Sequence, residues 1–361
     1  MNGPDEVASV RAQVWVGGTE VELRTFPMPS PEGAEAVVAV DLATVCTSDV
    51  HTVLGRRDGP CPGILGHEAV GRIAALGPEG RTDVAGTQLR VGDRVVWGVT
   101  ASCGSCDRCS SGRSAKCRRL LKTGHESLDG PWPLSGCYAS HLVLHPGVAV
   151  VRVPAAVADR AAALASCAVA TVMASVEAAG DLTGRRVVVS GLGMLGIVGC
   201  AVARAGGASS VEGFDPDQTR RALAERHGAD VAHHPADLAA GGADVVLELS
   251  GSPSAVAAAI DAADVGGRVV LAGSVAPAGR SWFDPELVVR RHLTIVGVHN
   301  YEPHHLVEAV AFLERHDRGA LGELVAAPVS LEDLPTVLTT PTETALRRSV
   351  APSGDIAPRR A

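Results

Sequence analysis

Aromatic residues are scarce: they make up 3% of the 361 residues, although 46% are hydrophobic. A core short of aromatic bulk must be built from Ala, Val, Leu and Ile, the composition of buried strands in a parallel α/β sheet. Long apolar runs are missing too, because Gly or charge interrupts the longest of them, and no membrane-spanning helix is expected. The opening MNGPDEVASVRAQ has no basic segment followed by an apolar one, so the expectation is a cytoplasmic rather than a secreted protein. Net positive charge is absent: the formal balance is −8, which argues against a nucleic-acid surface. An odd total of nine cysteines, without a leader, argues against a disulfide framework. There is no internal repeat. The length suggests about two domains.

Four of those cysteines stand together. Cys103, Cys106, Cys109 and Cys117 form CGSCDRCSSGRSAKC, with the spacing C-x2-C-x2-C-x7-C. Four thiolates at this spacing can close as a tetrahedral set around Zn²⁺, and four protein ligands leave no position for substrate. This metal is therefore expected to be structural. Unrelated buried thiols are the plainer alternative. Arg108, Arg113, Lys116, Arg118 and Arg119 make the lobe locally basic, which reads as a solvated face.

The texture of the chain changes near residue 150. Before it lie short strands and turns, among them 34–46, 69–77 and 93–100, bounded by Gly, Pro and Asp. After it, an Ala-rich helical stretch (155–180) leads into strands at 186–191, 209–215, 243–251 and 267–273, with helical patterns between them. Strands and helices alternating at this length predict βαβ units and a parallel sheet. Strand RVVVS runs directly into Gly191-Leu-Gly193-Met194-Leu195-Gly196 and then a helix. Glycines there permit a tight turn and bring backbone close to a pyrophosphate at the helix N-terminus. Asp215 ends the next strand, 24 residues beyond Gly191. Its carboxylate suits ribose hydroxyls and repels a 2′-phosphate, so NAD is favoured over NADP, although Arg220 and Arg221 stand close enough in sequence to accept a phosphate. A glycine turn in an empty α/β domain is the plainer alternative.

A different ligand pattern is spread along the chain: Cys46-Thr47-Ser48-Asp49-Val50-His51, then Gly66-His67-Glu68, then Cys167. Two thiolates and one imidazole would form a three-ligand zinc site with an open fourth position. Spacing does not by itself group Cys46, His67 and Cys167, for Cys167 lies 100 residues beyond His67 and a single Cys is more often a small buried hydrophobe.

Taken together, C-x-S-D-x-H, GHExxGxxxxxG (66–77), GDRV (92–95), the four-cysteine lobe, GLGMLG and TIVGVHNY (294–301) resemble the zinc-dependent medium-chain alcohol dehydrogenases, to about residue 350. The resemblance implies an α/β protein of two parts. A GroES-like, partly barrelled β catalytic domain spans 1–155 and 300–352 and carries both zincs; a Rossmann domain with a doubly wound parallel sheet spans 156–299. Residues 353–361 are left as a loose tail. It implies that Cys46, His67 and Cys167 bind catalytic zinc, that Glu68 can approach the metal during ligand exchange, and that Asp49 orients the His67 imidazole. Ser48 and His51 match the two ends of a hydroxyl relay that carries the alcohol proton. Zinc then acts as a Lewis acid on the substrate oxygen, and hydride passes between carbon and nicotinamide. A homodimer or homotetramer is implied, with the strand near 294–300 as a candidate for pairing between subunits. The stretch 80–89 lengthens one link beyond the family's usual pattern without touching a ligand.

The substrate is less legible. Arg56, Arg57, Lys122 and His125 flank the expected mouth of the site. The plain reading is solvent-facing charge; the sharper one is an anion clamp formed by Arg56 and Arg57, since Arg forks match carboxylates and phosphonates. Several stretches are similar to a subgroup of the family associated with phosphonate metabolism. For His125, Tyr138 and Trp132 the two readings are pocket lining and, more plainly, packing; Cys61, Cys137 and Cys200 read as inert thiols. Two other classes stand against an enzyme: a zinc-stabilised nucleotide-binding sensor, which predicts a damaged ligand set or relay, and a nucleic-acid-binding zinc module, which predicts a basic, aromatic-rich surface. The intact set from Cys46 to Cys167 favours the enzyme.

Overall fold

A computed structural model of the chain describes residues 9–275, 277–317, 319–340 and 345–354. These divide into two compact units, Met1–Cys167 with Glu302–Ala361, and Ala168–Tyr301.

The first unit is built on a curled sheet of short, mostly antiparallel strands. Its central strand, Ala36–Val45 (AVVAVDLATV), is rich in β-branched residues and largely buried. It pairs with Ala69–Leu76, His141–Leu144 and Arg347–Ala351, and so brings a C-terminal strand beside Cys46. A smaller sheet pairs Ser9–Gly17 with Glu20–Pro27 and Gly63–Ile64. The core between them is mainly aliphatic, with Trp97 and Tyr138 as its fully buried aromatics. This is the GroES-like half-barrel. The unit reaches to Cys167, beyond the change of texture near residue 155, because the helix Asp159–Leu164 packs on Ala36–Val45 and Ala69–Leu76. The long link at 80–89 is pinned rather than loose: buried Arg81 donates to the carbonyls of Ala34, Leu144, His145 and Val148.

The second unit is a six-stranded, wholly parallel sheet. Its strands lie in the order Val231–His233, Ser210–Phe214, Arg186–Ser190, Ala243–Glu248, Ala263–Leu271 and Thr294–Gly297. Numbered along the chain, that is 3-2-1-4-5-6, the doubly wound dinucleotide-binding order, with its switch point beside the first strand.

One helical run, Asp159–Ala179, has the length and apolarity of a bilayer span. Of its apolar window 72% is buried inside the fold, as in a core helix. Of the expected tail, Ser353 is tied down by its hydroxyl, which donates to the Val40 carbonyl at 2.9 Å; residues 355–361 lie outside the described residues.

Candidate functional site

The fold brings together the three scattered candidate ligands. Cys46 caps the helix Thr47–Val53, His67 precedes the strand Ala69–Leu76, and Cys167 sits in a π-helical turn, Ala165–Val169. Such a turn inserts a residue into an α-helix and redirects its side chains, and it recurs at functional sites. The Sγ atoms of Cys46 and Cys167 and a ring nitrogen of His67 lie within 4.8 Å of one another. That donor set fits a zinc with one open position.

Around the set, buried Asp49 ties several groups together. Its Oδ2 accepts from the Cys46 N–H at 3.2 Å and from the Tyr138 hydroxyl at 2.8 Å, and its Oδ1 lies 3.4 Å from His67 Nδ1. A carboxylate facing Nδ1 leaves Nε2 for a metal. Burial works against a charged His67, but Asp49 and Cys46 override it and hold the ring up at about 10. Cys46 is held well below the usual thiol range, chiefly by the hydrogen bond from Cys167, with Arg347 assisting against burial. The cluster therefore attracts a cation, and a zinc entering it would displace the His67 proton. Ser48 Oγ and His51 Nδ1 are buried without a hydrogen-bond partner among the described residues.

Two residues here escaped the sequence reading. Tyr138 is more than packing, since its hydroxyl fixes Asp49. Arg347 is buried beside the ligands: its Nε donates to Glu68 Oε2 at 3.1 Å and its Nη2 to Cys46 Sγ at 3.6 Å. Glu68 also accepts from the Thr44 hydroxyl. No local pattern marks Arg347, which is 279 residues from Glu68 in the chain. Trp132 does pack, its Nε1 donating to the Val143 carbonyl. His125 lies against His67, with ring centroids 5.2 Å apart. Burial, with His67 and Arg57 adding to it, pulls His125 down to about 4.

Gly66 fixes the approach to His67. Its φ is +93°, and an added Cβ would stand 2.8 Å from the Tyr138 ring. A Gly66→Ala variant is therefore expected to lose about 1–3 kcal/mol of stability and to bind zinc more weakly at this set. Urea unfolding and metal analysis after dialysis check this together.

In the other lobe, the four Sγ atoms of Cys103, Cys106, Cys109 and Cys117 also lie within 4.8 Å of one another, with separations of 3.5 Å (106–109), 3.9 Å (106–117) and 4.0 Å (103–109). A tetrahedron of thiolates at about 2.3 Å from zinc has edges of about 3.8 Å. Cys103 is pulled down to about 5 by the Ser105 backbone N–H and by Arg119. Backbone N–H groups of Cys103 and Arg119 point at Cys117 Sγ, both at 3.3 Å. Charge and geometry both fit the metal.

The glycine turn fits a dinucleotide, each glycine for its own reason. Gly191 has φ +88°, and a Cβ there would meet Ser250 at 2.6 Å; one on Gly196 would meet the Gly191 carbonyl at 1.9 Å. A Cβ on Gly193 would meet nothing within 4 Å, so the backbone is open to an incoming phosphate there. The helix Met194–Ala205 starts at this point, with Gly193 as its cap, and first-turn N–H groups such as those of Met194 and Leu195 carry its positive end. Asp215 is buried and already accepts from Leu192 N–H at 2.8 Å and Asp217 N–H at 2.9 Å, with Arg220 at 3.8 Å. Part of its capacity thus goes to shaping the turn.

Comparison with known proteins agrees with this architecture. Residues 32–155 match the alcohol dehydrogenase GroES-like domain and residues 195–315 the zinc-binding dehydrogenase domain. The chain is 30% identical over 339 residues to 5-exo-hydroxycamphor dehydrogenase of Pseudomonas putida, covering 90% of this chain and 93% of that one. It is 32% identical over 311 residues to L-threonine 3-dehydrogenase of Deinococcus deserti, covering 81% and 82%. An alcohol dehydrogenase from Thermotoga maritima superposes with a TM-score of 0.88 at 26% identity, covering 95% of this chain and 99% of that one. The chain belongs to the zinc-dependent medium-chain alcohol dehydrogenase family, and is an oxidoreductase of that class.

Proposed function

We propose that the protein is an NAD-linked alcohol dehydrogenase, or in reverse an aldehyde or ketone reductase, holding two zincs per chain. The convergence of Cys46, His67 and Cys167 within 4.8 Å carries this reading. In it, those three residues hold the catalytic zinc, and Cys103, Cys106, Cys109 and Cys117 hold the structural one. Bound zinc supplies Lewis-acid polarisation of the substrate oxygen, and the nicotinamide carries the hydride. The protein supplies proton movement and orientation. Ser48 Oγ, free of other partners among the described residues, takes the proton leaving the alcohol and hands on its own, and His51 is the base at the outer end of that relay. Asp49 keeps His67 in the tautomer that leaves Nε2 unprotonated. Glu68, held by Arg347 and Thr44, stands next to the set as the carboxylate available during ligand exchange. A non-catalytic nucleotide sensor has no use for a Ser48 Oγ and a His51 Nδ1 buried without partners among the described residues.

NAD is proposed over NADP because a carboxylate such as that of Asp215, at the end of the second strand of the sheet, suits ribose hydroxyls and repels a 2′-phosphate. Asp215→Asn is expected to lower kcat/KM for NAD about 10- to 100-fold, the loss of a charged hydrogen bond to ribose. The NADP-to-NAD ratio should rise at the same time. An unchanged ratio in steady-state kinetics would remove the assignment. A cytoplasmic homodimer or homotetramer is proposed as the working form: Thr294–Gly297 is an edge strand, and Trp282 (80% exposed) and Val289 (72%) lie in the segment leading to it. The substrate is taken to be a small alcohol or aldehyde, with a phosphonate-bearing one as the sharper candidate.

The direct test is NADH oxidation by zinc-loaded protein with short aldehydes, alongside metal analysis. Turnover with two zincs per chain is expected. Tight NADH binding without turnover of any carbonyl compound would favour the sensor.

A further inference from the structure

Two charged groups near His125, whose ring lies against His67, have no part in the chemistry above. Arg57 and Lys122 are half-buried, and neither side chain makes a hydrogen bond or ion pair among the described residues. The fold brings them together. Lys122 lies opposite Thr100 in a short strand pair. The chain beyond Arg57 runs along the segment after Lys122: Leu128 N–H donates to the Pro62 carbonyl at 2.9 Å, and Gly63 bridges Ser127.

Arg57 lies within electrostatic reach of both Lys122 and His125, and the His125 ring is the one 5.2 Å from His67. His125 Nδ1 lies 2.8 Å from the Thr123 carbonyl. A carbonyl only accepts, so Nδ1 carries the proton and Nε2 is left as an acceptor. Burial lowers the Lys122 pKa, Arg57 and Lys116 lower it further, and Glu126 opposes them. Glu126 accepts the Lys122 backbone N–H at 2.8 Å but makes no ion pair with its ammonium among the described residues. Two neighbouring cations partly withdrawn from water are unfavourable until an anion joins them. Arg56, the other half of the clamp expected from sequence, is exposed.

We infer that Arg57 and Lys122 bind an anionic group on the substrate, so that the enzyme acts on short alcohols or aldehydes carrying a carboxylate or a phosphonate. His125 lies against His67 and within electrostatic reach of Arg57. The Arg fork meets two oxygens of the anion; the Lys ammonium takes the third oxygen of a phosphonate, or shares one of the two on a carboxylate. The inference rests on the dehydrogenase reading, and its test separates the two.

Zinc-loaded enzyme is assayed by NADH oxidation with phosphonoacetaldehyde, succinic semialdehyde and butyraldehyde. One anionic aldehyde is expected to exceed butyraldehyde in kcat/KM by about 10- to 100-fold, the value of a charged hydrogen bond. Whichever anion is preferred identifies the group. Arg57→Gln and Lys122→Met each remove that advantage, mainly through KM, and leave butyraldehyde unchanged; Arg56→Gln changes neither. Preference for butyraldehyde in the wild type, or equal losses on all three aldehydes, overturns the inference. Titration calorimetry with phosphonoacetate and succinate gives a readout free of turnover. Binding that both variants weaken about tenfold upholds the anion site even if no aldehyde reacts, and then only the dehydrogenase reading fails. Absent binding, or binding indifferent to both variants, overturns the site.

Discussion

A Cys46→Ala variant is expected to keep its fold, to hold one zinc per chain instead of two, and to lose at least about a thousandfold in kcat/KM. The reason is local. Cys46 is the donor held lowest in pKa, and it receives hydrogen bonds from Cys167 and Arg347. Its loss leaves a set of two ligands, too few for a tetrahedral site. Lewis-acid polarisation contributes several kcal/mol to such reactions, and about 4 kcal/mol is already a factor of about a thousand. Cys106→Ala also removes one zinc, but from a set remote in sequence from every residue of the proposed relay. Its loss of activity should follow loss of stability, whereas Cys46→Ala should be inactive while folded. Metal analysis, circular dichroism and kinetics on the two variants separate these cases. Two retained zincs with near-normal turnover in Cys46→Ala would end the assignment of the catalytic centre.

The second large effect is at Arg347. Its side chain is 4% exposed and that of Glu68 is fully buried, with 3.1 Å between Nε and Oε2. Removing one partner of a buried pair leaves an uncompensated charge, at a cost of about 3–5 kcal/mol. Arg347→Met is expected to show that loss in urea unfolding. The pH dependence follows from Glu68, whose pKa burial already raises while Arg347 restrains it. Without Arg347 the folded-state pKa rises further. An acid with a folded pKa above its unfolded one carries no penalty when both states are protonated, and a growing one as pH rises past the unfolded value. The Arg347→Met defect should therefore be larger at pH 8 than at pH 5. Adding Glu68→Gln should recover much of the stability, because the pair is then absent rather than broken. A defect equal at both pH values and untouched by Glu68→Gln would assign Arg347 a packing role alone.

How far these sites could be read in advance depended on how local each one is. Cys103 to Cys117 lie within one short stretch, so their spacing already limits the geometry, and the sulfur separations of 3.5–4.0 Å agree with it. The glycine turn is likewise a strand, a turn and a helix in unbroken succession, and its three glycines meet three different steric demands. Tyr138 and Arg347 were illegible for the opposite reason. Tyr138 reaches Asp49 across 89 residues of chain, and Arg347 reaches Cys46 across 301. In the sequence they are an ordinary tyrosine before a strand and one of two adjacent arginines. Arg56 and Arg57 were equally indistinct as neighbours, until burial separated the half-buried one from the exposed one.

The four-thiolate lobe and the dinucleotide turn were legible in the chain because each rests on residues whose mutual geometry the local backbone already dictates, while the family and the two-part α/β architecture followed from the resemblance carried by motifs spread along it. Only the tertiary structure decided which distant groups share one buried space. It set Cys167 on a π-helical turn beside Cys46 and His67, seated Arg347 against Glu68 through the pairing of the strands Arg347–Ala351 and Ala36–Val45, and left Arg57 and Lys122 half-buried without an ion pair among the described residues. Polar groups enter a core only where partners await them, and those partners come from sheet register and helix packing, which no short stretch of sequence contains.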